Sequence, residues 1–442
     1  MRMLRQGALH LVILVAMAIA TSGTARAVQW LGAYDYPFVD PLVATVVQTP
    51  HANSIELPEL VRFENVDIYT VRGLVERPVP PVYFFQRFGM EFGLVEQPGP
   101  APLVFVIAGT GGGFNADINQ SLARILYAAG FHVIGLPNPT HPNFTVNAST
   151  TGVPGRLKDD AVDLYRAMQA AYAVVEDRIE VTSVNLTGYS LGATYSAFLA
   201  ELDSREKVFN FNRVLLLNPA VSVFASVGLV DGMLLTDTPE ERNNVREFIN
   251  TVLTAFGRLY RGGEPVDFSG DFIYRTYTEL DLSATEIEKL IGVAFRLSAN
   301  TMAFTSDVLA ETGVIVPKGT ILTATTPLEP YYLRSQEFSF TRYFEEIYTP
   351  YFAAAVPGLT AEQMIADADL AAIERYLASA SNVGVITNAD DLILRPQDFA
   401  FLERVFDDRL VIYPIGGHCG NYRQRDVAAR IQDYFRAAEL GQ

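Results

Sequence analysis

The chain predicts an α/β fold, a mostly parallel sheet flanked by helices and interrupted by a large, mainly helical insertion. Three observations lead there. Leu103 to Ala108 is an unbroken apolar run, as a strand buried on both faces of a parallel sheet requires. Apolar, β-favouring runs then alternate with amphipathic helical stretches, the pattern that builds a parallel sheet covered on both sides. The alternation stops at Asn218-Pro219 and resumes only near Asn382, leaving about 160 residues of helical character between.

In order along the chain, Arg2 and Arg5, an apolar run from Leu9 to Ala20 and the ending Ala25-Arg26-Ala27 predict a secretory signal cleaved after Ala27. The run is shorter than the ~20 residues that span a bilayer, and no later stretch is long and uncharged enough to do so. Residues 28–60 mix aromatics with Pro37, Pro41, Pro50 and Pro58, which predicts an extended arm over the domain. From about Leu60 to Glu96 antiparallel strands are expected, including Val82 to Phe85 and Met90 to Val95, before Pro98, Pro100 and Pro102 punctuate the chain.

The strand Leu103 to Ala108 is followed by a glycine loop, a helix (about Asp117 to Ala129), a strand (His132 to Leu136) and an irregular loop with Pro137, Pro139 and Pro142. A helix from about Arg156 to Val175 carries Leu157, Ala161, Leu164, Tyr165, Met168 and Tyr172 at helical spacing. A strand at Val184 to Thr187, a helix at Ala193 to Leu202 and a strand at Val214 to Leu217 complete residues 61–218, the first part of the core.

Residues 219–381 read as a cap inserted between strands 6 and 7. Three helix starts are legible there: Thr238-Pro239-Glu240-Glu241, Ser283 with Glu286, and Thr360 with Gln363, each an N-cap followed by a residue that can close the capping box. Residues 382–442 return to the core, with strands at Val383 to Thr387 and Leu410 to Tyr413, a helix near Pro396 to Val405 and a closing helix presenting Val427, Ile431 and Phe435.

Composition excludes several function classes. The net charge of −17 becomes −20 once the leader, with three arginines and no acids, is removed. So acidic a surface repels phosphate backbones, and no nucleic-acid partner is expected. Cys419 is the single cysteine, so no intrachain disulfide can form, and stability falls to the core. Four histidines remain after the leader, His51, His132, His141 and His418, without metal-ligand spacing, so neither a metal nor another cofactor is expected.

The chemistry gathers around Gly188-Tyr189-Ser190-Leu191-Gly192, which sits between a strand and a helix. Five such residues alone are weak evidence, and a structural serine in a glycine turn is the rival reading. The strand-turn-helix context favours an elbow that lifts the Ser190 hydroxyl clear of the sheet edge. A serine needs a base, and His418, in Gly416-Gly417-His418-Cys419-Gly420 after a late strand, is the one histidine in a suitable place. His132 and His51 read as structural, whereas His141 follows a strand end and could reach a substrate. The imidazole needs an orienting carboxylate; Asp390 and Asp391 both follow a strand end, and Asp391 is preferred. Oxyanion donors are expected from the amide of Leu191 and from Thr110 or Gly111 in the loop Ala108 to Phe114. That loop lacks the Lys-Ser/Thr ending of a phosphate-binding loop and the spacing of a dinucleotide fingerprint.

These residues together resemble the α/β-hydrolase superfamily, in its order of nucleophile, acid and histidine. The resemblance covers roughly residues 60–218 and 382–438. It implies an eight-stranded, mostly parallel sheet, a Ser190, Asp391, His418 triad, and Leu191 as an oxyanion donor. The usual His-Gly ahead of the oxyanion loop is Ala108-Gly109 here, and the insertion is long for the family's lid position.

The cap carries Phe340, Tyr343, Phe344, Ile347, Tyr348, Tyr351 and Phe352 at helical spacing, a pattern that more often makes core than pocket. Phe344 and Tyr348, with Phe114, Tyr189 and His141, are the candidate substrate contacts. The resulting expectation is a periplasmic or extracellular serine esterase, acting through an acyl-enzyme on a small-molecule or lipid-like apolar ester. Amide cleavage or acyl transfer on the same triad, and a non-catalytic binding protein on a hydrolase fold, are the alternatives.

Overall fold

A nine-stranded sheet organises the computed structural model, which describes residues 28–57, 68–234, 247–251, 254 and 283–439. Its strands are β1 (Gln29–Trp30), β2 (Ile68–Val71), β3 (Met90–Val95), β4 (Ala101–Ile107), β5 (His132–Leu136), β6 (Val181–Tyr189), β7 (Val214–Leu217), β8 (Val383–Asn388) and β9 (Leu410–Tyr413). They lie in the order β1-β9-β8-β7-β6-β4-β5-β3-β2. Pairing is antiparallel at β2 with β3 and at β3 with β5, and parallel elsewhere. Eight strands were the expectation; the ninth is β1, two residues of the arm that extend the sheet beside β9.

Both faces of the sheet are covered, and β4 shows why its sequence is continuously apolar. Leu103, Phe105 and Ile107 point into one buried cluster, with Leu164, Met168 and Leu199 of helices α4 (Leu157–Val175) and α5 (Leu191–Glu206). Val104 and Val106 point into the other, with Leu122 and Leu126 of α2 (Asp117–Ala128) and Ile431 and Phe435 of α14 (Arg425–Glu439). Alternate side chains of one strand therefore fill two cores.

Two local expectations are corrected. The arm is not extended throughout: Pro41–Val47 form helix α1, because Asp40 accepts from the amides of Leu42 and Val43 and Pro41 takes the first helical position, where its missing N–H is no loss. Val82 to Phe85 are not a strand but part of a 3-10 helix, Pro81–Gln86. Pro80 and Pro81 enter the turn with φ restricted, and the Tyr83 amide closes onto the Pro80 carbonyl at 2.8 Å. The irregular loop after β5 also contains a short helix, α3 (Pro142–Asn147), capped by His141.

Between β7 and β8 the elements among the described residues are helices, α6 (Val223–Gly232), α7 (Ala284–Ala310), α8 (Glu329–Ser335), α9 (Phe340–Tyr343), α10 (Thr349–Ala355), α11 (Ala361–Asp367) and α12 (Glu374–Ser379), with turns and loop over 311–328. A π-helical turn, Phe344–Tyr348, joins α9 to α10. The capping boxes at Ser283 with Glu286 and at Thr360 with Gln363 start α7 and α11. The third, at Thr238, lies outside the described residues, as does the leader, residues 1–27. Helix α13 (Pro396–Phe406) separates β8 from β9. Among the described residues no helix is long and apolar enough to cross a membrane.

Candidate active site

β6 ends at Tyr189 and α5 begins at Leu191, so Ser190 forms the whole turn. Its backbone angles, φ 55° and ψ −129°, lie where a residue with a Cβ is strained by about 1–3 kcal/mol. Two glycines allow the strand and helix to approach this closely. A Cβ on Gly188 would stand 2.4 Å from the Gly192 carbonyl oxygen, and one on Gly192 would stand 2.3 Å from those of Ile107 and Ala108. Ser190 N–H donates to the Leu217 carbonyl at 2.9 Å, which ties the turn to β7.

His418 Nε2 lies 2.9 Å from Ser190 Oγ, and its Nδ1 lies 2.9 Å from Asp391 Oδ1. An ionised carboxylate only accepts, so Nδ1 carries the proton and the Nε2 lone pair faces the serine hydroxyl. Asp391 is itself held: Asn218 Nδ2 donates to Oδ2 at 2.6 Å and the Ile393 amide to Oδ1 at 3.1 Å. Asn218 is oriented in turn by the Tyr422 hydroxyl, which donates to its Oδ1 at 2.9 Å. All three groups are buried, with His418 8% exposed and Ser190 7%. Burial by itself lowers the His418 pKa, but Cys419 and the Asp391 carboxylate beside it outweigh burial and lift it well above the ordinary histidine value.

The two candidate acids have different places. Asp390 does not touch the imidazole; its carboxylate accepts from the amides of Gly416 and Gly417, at 3.1 and 2.9 Å, and holds the loop that carries His418. The N-terminal arm holds the same loop from the other side. Thr45 Oγ1, on α1, accepts from the His418 amide at 2.9 Å, and a Cβ on Gly417 would stand 2.4 Å from the Pro41 carbonyl oxygen. Gly417 therefore serves close approach of the arm rather than flexibility.

Of the candidate oxyanion donors, Leu191 N–H belongs to the first residue of α5 and has no partner within the helix. Thr110 N–H makes no hydrogen bond among the described residues, and Thr110 lines the same cavities as Ser190. Gly111 drops out as a donor, because its amide already donates to Thr140 Oγ1 at 2.8 Å.

Two cavities flank Ser190. The first, about 110 Å³, is walled by Leu157, Val227, Phe295, Met302, Phe340, Tyr343, Phe344 and Tyr348, with Thr110, Ser190 and Leu191 at its end. The hydroxyls of Tyr195 and Tyr343 are bonded to Asp160 and to the Pro154 carbonyl, so these residues offer carbon to the cavity. The second, about 90 Å³, contains Ser190, His418, Thr45, Gln48, Tyr189 and Ser298. Phe344 and Tyr348 thus reach the space beside the serine, and Tyr189 the space beside the histidine. Phe114 and His141 reach neither. They line a third cavity of about 600 Å³, beyond Gly111 and Thr140. His141 spends Nδ1 on the Asn143 amide as the cap of α3, and burial pushes its pKa down to about 4.

Sequence reasoning missed Thr45, Gln48, Asn218 and the loop-holding part of Asp390. Asp40-Pro41 is a legible helix start and would have revealed α1, though not what α1 touches.

No protein-family model and no curated protein matches the sequence. Among solved structures the chain is similar to an esterase from Pyrococcus furiosus, at 10% identity, 92% of this chain and 100% of that one, with a TM-score of 0.40. A fungal esterase from Rhizomucor miehei shares 13% identity over 88% and 86% of the two chains, TM-score 0.41. A thioesterase domain from the curacin biosynthetic pathway shares 12% over 78% and 94%, TM-score 0.37. Superpositions this loose carry nothing about activity. The strand order does more: β4 and β6 are neighbours, β3 alone runs antiparallel between β2 and β5, and serine, acid and histidine follow β6, β8 and β9 at their carboxyl ends. That arrangement of sheet, turn and residue order is the α/β-hydrolase fold.

Proposed function

We propose that the protein is a serine hydrolase that cleaves carboxylic esters with an apolar acyl group. The observation that carries this reading is the unbroken line from Asp391 through His418 to Ser190, with two unengaged amides beside it. Ser190 Oγ attacks the ester carbonyl while His418 Nε2 takes its proton. The amides of Leu191 and Thr110 stabilise the oxyanion, and Asp391 stabilises the imidazolium. His418 then protonates the leaving alcohol, and water, deprotonated by the same imidazole, releases the acid from Ser190. The acyl group occupies the ring-walled cavity, and residues 219–381 act as the cap that supplies most of its wall. A 150 Å³ apolar cavity holds a benzene, so about 110 Å³ suits an acyl chain of about four or five carbons.

Capture of a charged peptide terminus would call for an acidic or basic side chain, and neither cavity is lined by an Asp, Glu, Lys or Arg. The basic and apolar residues 1–27 support a reaction outside the cytoplasm. A fluorophosphonate probe should label the purified protein at Ser190 and leave Ser190→Ala unlabelled, with turnover of p-nitrophenyl esters falling about 10⁴-fold or more in the variant. A well-folded wild type that neither labels nor turns over these esters would overturn the reading.

A further inference from the structure

We propose that Gln48 contacts the substrate and selects the leaving alcohol, favouring a small, neutral alcohol that bears a second hydrogen-bonding group. The proposal rests on the hydrolase reading above and adds a substrate class to it.

Gln48 closes α1 and lines the cavity that also contains Ser190 and His418. It is only 7% exposed, yet its side-chain amide makes no hydrogen bond among the described residues. A primary amide offers two donors and an acceptor, and neither polar atom of this one is sealed off among the buried, unpartnered groups, so in the cavity lined by Ser190 and His418 it stands open to a hydrogen-bonding group of a ligand.

The backbone points the same way. Gln48 has φ 60° and ψ −152°, a region populated almost only by glycine. Its amide donates to the Ala44 carbonyl at 3.0 Å, and its own carbonyl shares the Tyr36 hydroxyl proton with the Gly420 carbonyl, at 3.3 and 3.1 Å, which holds it there. Glycine would make this turn without strain. What Gln48 adds is its side chain.

The reaction decides which part of the ester meets this amide. His418 Nε2 must protonate the leaving oxygen, so the alcohol lies on the histidine side, in the cavity with Gln48, and the acyl group lies in the other. The alcohol-side walls include Ile118, Ile291 and Ala294 and no Asp, Glu, Lys or Arg, which favours an uncharged ligand. On the scale by which 150 Å³ holds a benzene, about 90 Å³ takes roughly four heavy atoms, enough for a diol of about two carbons. An ethylene glycol ester has this form.

The test compares two esters of equal shape, 2-hydroxyethyl butyrate and propyl butyrate, in the wild type, Gln48→Leu and Gln48→Gly. Gln48→Gly relieves the backbone, so it cannot fail through strain, and the fluorophosphonate labelling rate reports an intact triad in each protein. Wild type should prefer the hydroxyethyl ester by about tenfold in kcat/KM, and both variants should bring the ratio close to one. A wild-type ratio near one, or a preference that survives in both variants while labelling persists, overturns the assignment of Gln48 and leaves the hydrolase reading standing. A wild type that neither labels nor hydrolyses either ester overturns both.

Discussion

Two segments outside the central sheet reach Ser190 by different physics. The arm, residues 28–57, works through hydrogen bonds onto the histidine loop. Besides Thr45 on the His418 amide, the Tyr36 and Thr49 hydroxyls both donate to the Gly420 carbonyl, at 3.1 and 3.0 Å, and the Tyr34 hydroxyl donates to that of Ile415 at 2.7 Å. The helices between β7 and β8 work through rings and aliphatic groups: Phe295 and Met302 of α7, and Phe344 and Tyr348 of the π-helical turn. Hydrogen bonds are directional and a lost partner leaves a buried orphan; apolar walls are non-directional and yield gradually. The arm should therefore govern whether the reaction runs, and the helices which acyl group enters.

The largest break in that comparison is expected at Thr45. Thr45→Val keeps the shape but leaves the His418 amide without its acceptor, a cost of about 1–3 kcal/mol that falls on the geometry of the base. kcat for a butyrate ester should fall roughly 10- to 100-fold with KM little changed, and Thr45→Ser should recover it. Equal kcat in Thr45→Val would reduce the arm to a cover.

A smaller effect, of a different kind, is expected in the apolar wall. Phe344 stacks on Tyr348 with ring centroids 5.4 Å apart. Phe344→Ala removes ring surface worth about 1–3 kcal/mol of contact to a fitted acyl chain. Across a series of p-nitrophenyl esters, kcat/KM should fall several-fold for butyrate and the optimum should move to longer chains; an unmoved optimum would mean that the acyl group lies elsewhere.

The pH profile offers the finest distinction. The neutral imidazole is the working base, and the His418 pKa is raised, so the ring stays protonated to higher pH and kcat/KM should rise with pH through an ionisation above 6.5. Phe344→Ala should leave that limb in place, because the wall brings no charge to the histidine. Thr45→Val should displace it, because the ring then shifts against Asp391. A limb that moves in both, or in neither, would erase the division of labour between the two segments.

Much of the core was legible in the chain. The boundaries of β5 and β9 match the apolar runs His132 to Leu136 and Leu410 to Tyr413, and the capping boxes at Ser283 and Thr360 start their helices. These are short-range signals, carried by side-chain period and by groups within one turn. Val82 to Phe85 misled because its β-favouring residues follow two prolines, whose fixed φ outweighs side-chain preference.

The sequence by itself determined the sheet with its helices, the elbow at Ser190, and a short roster of acids and one histidine past the right strands, because each depends on residues close along the chain. Only the tertiary structure decided that Asp391 faces the imidazole while Asp390 holds the loop, that Gly111 is engaged and Thr110 open, that Phe114 and His141 lie in another cavity, and that Thr45 and Gln48 stand beside His418. Those outcomes are contacts between groups up to 373 residues apart. Which of several chemically equal partners meet at such range is set by how the elements pack, and no local preference encodes it.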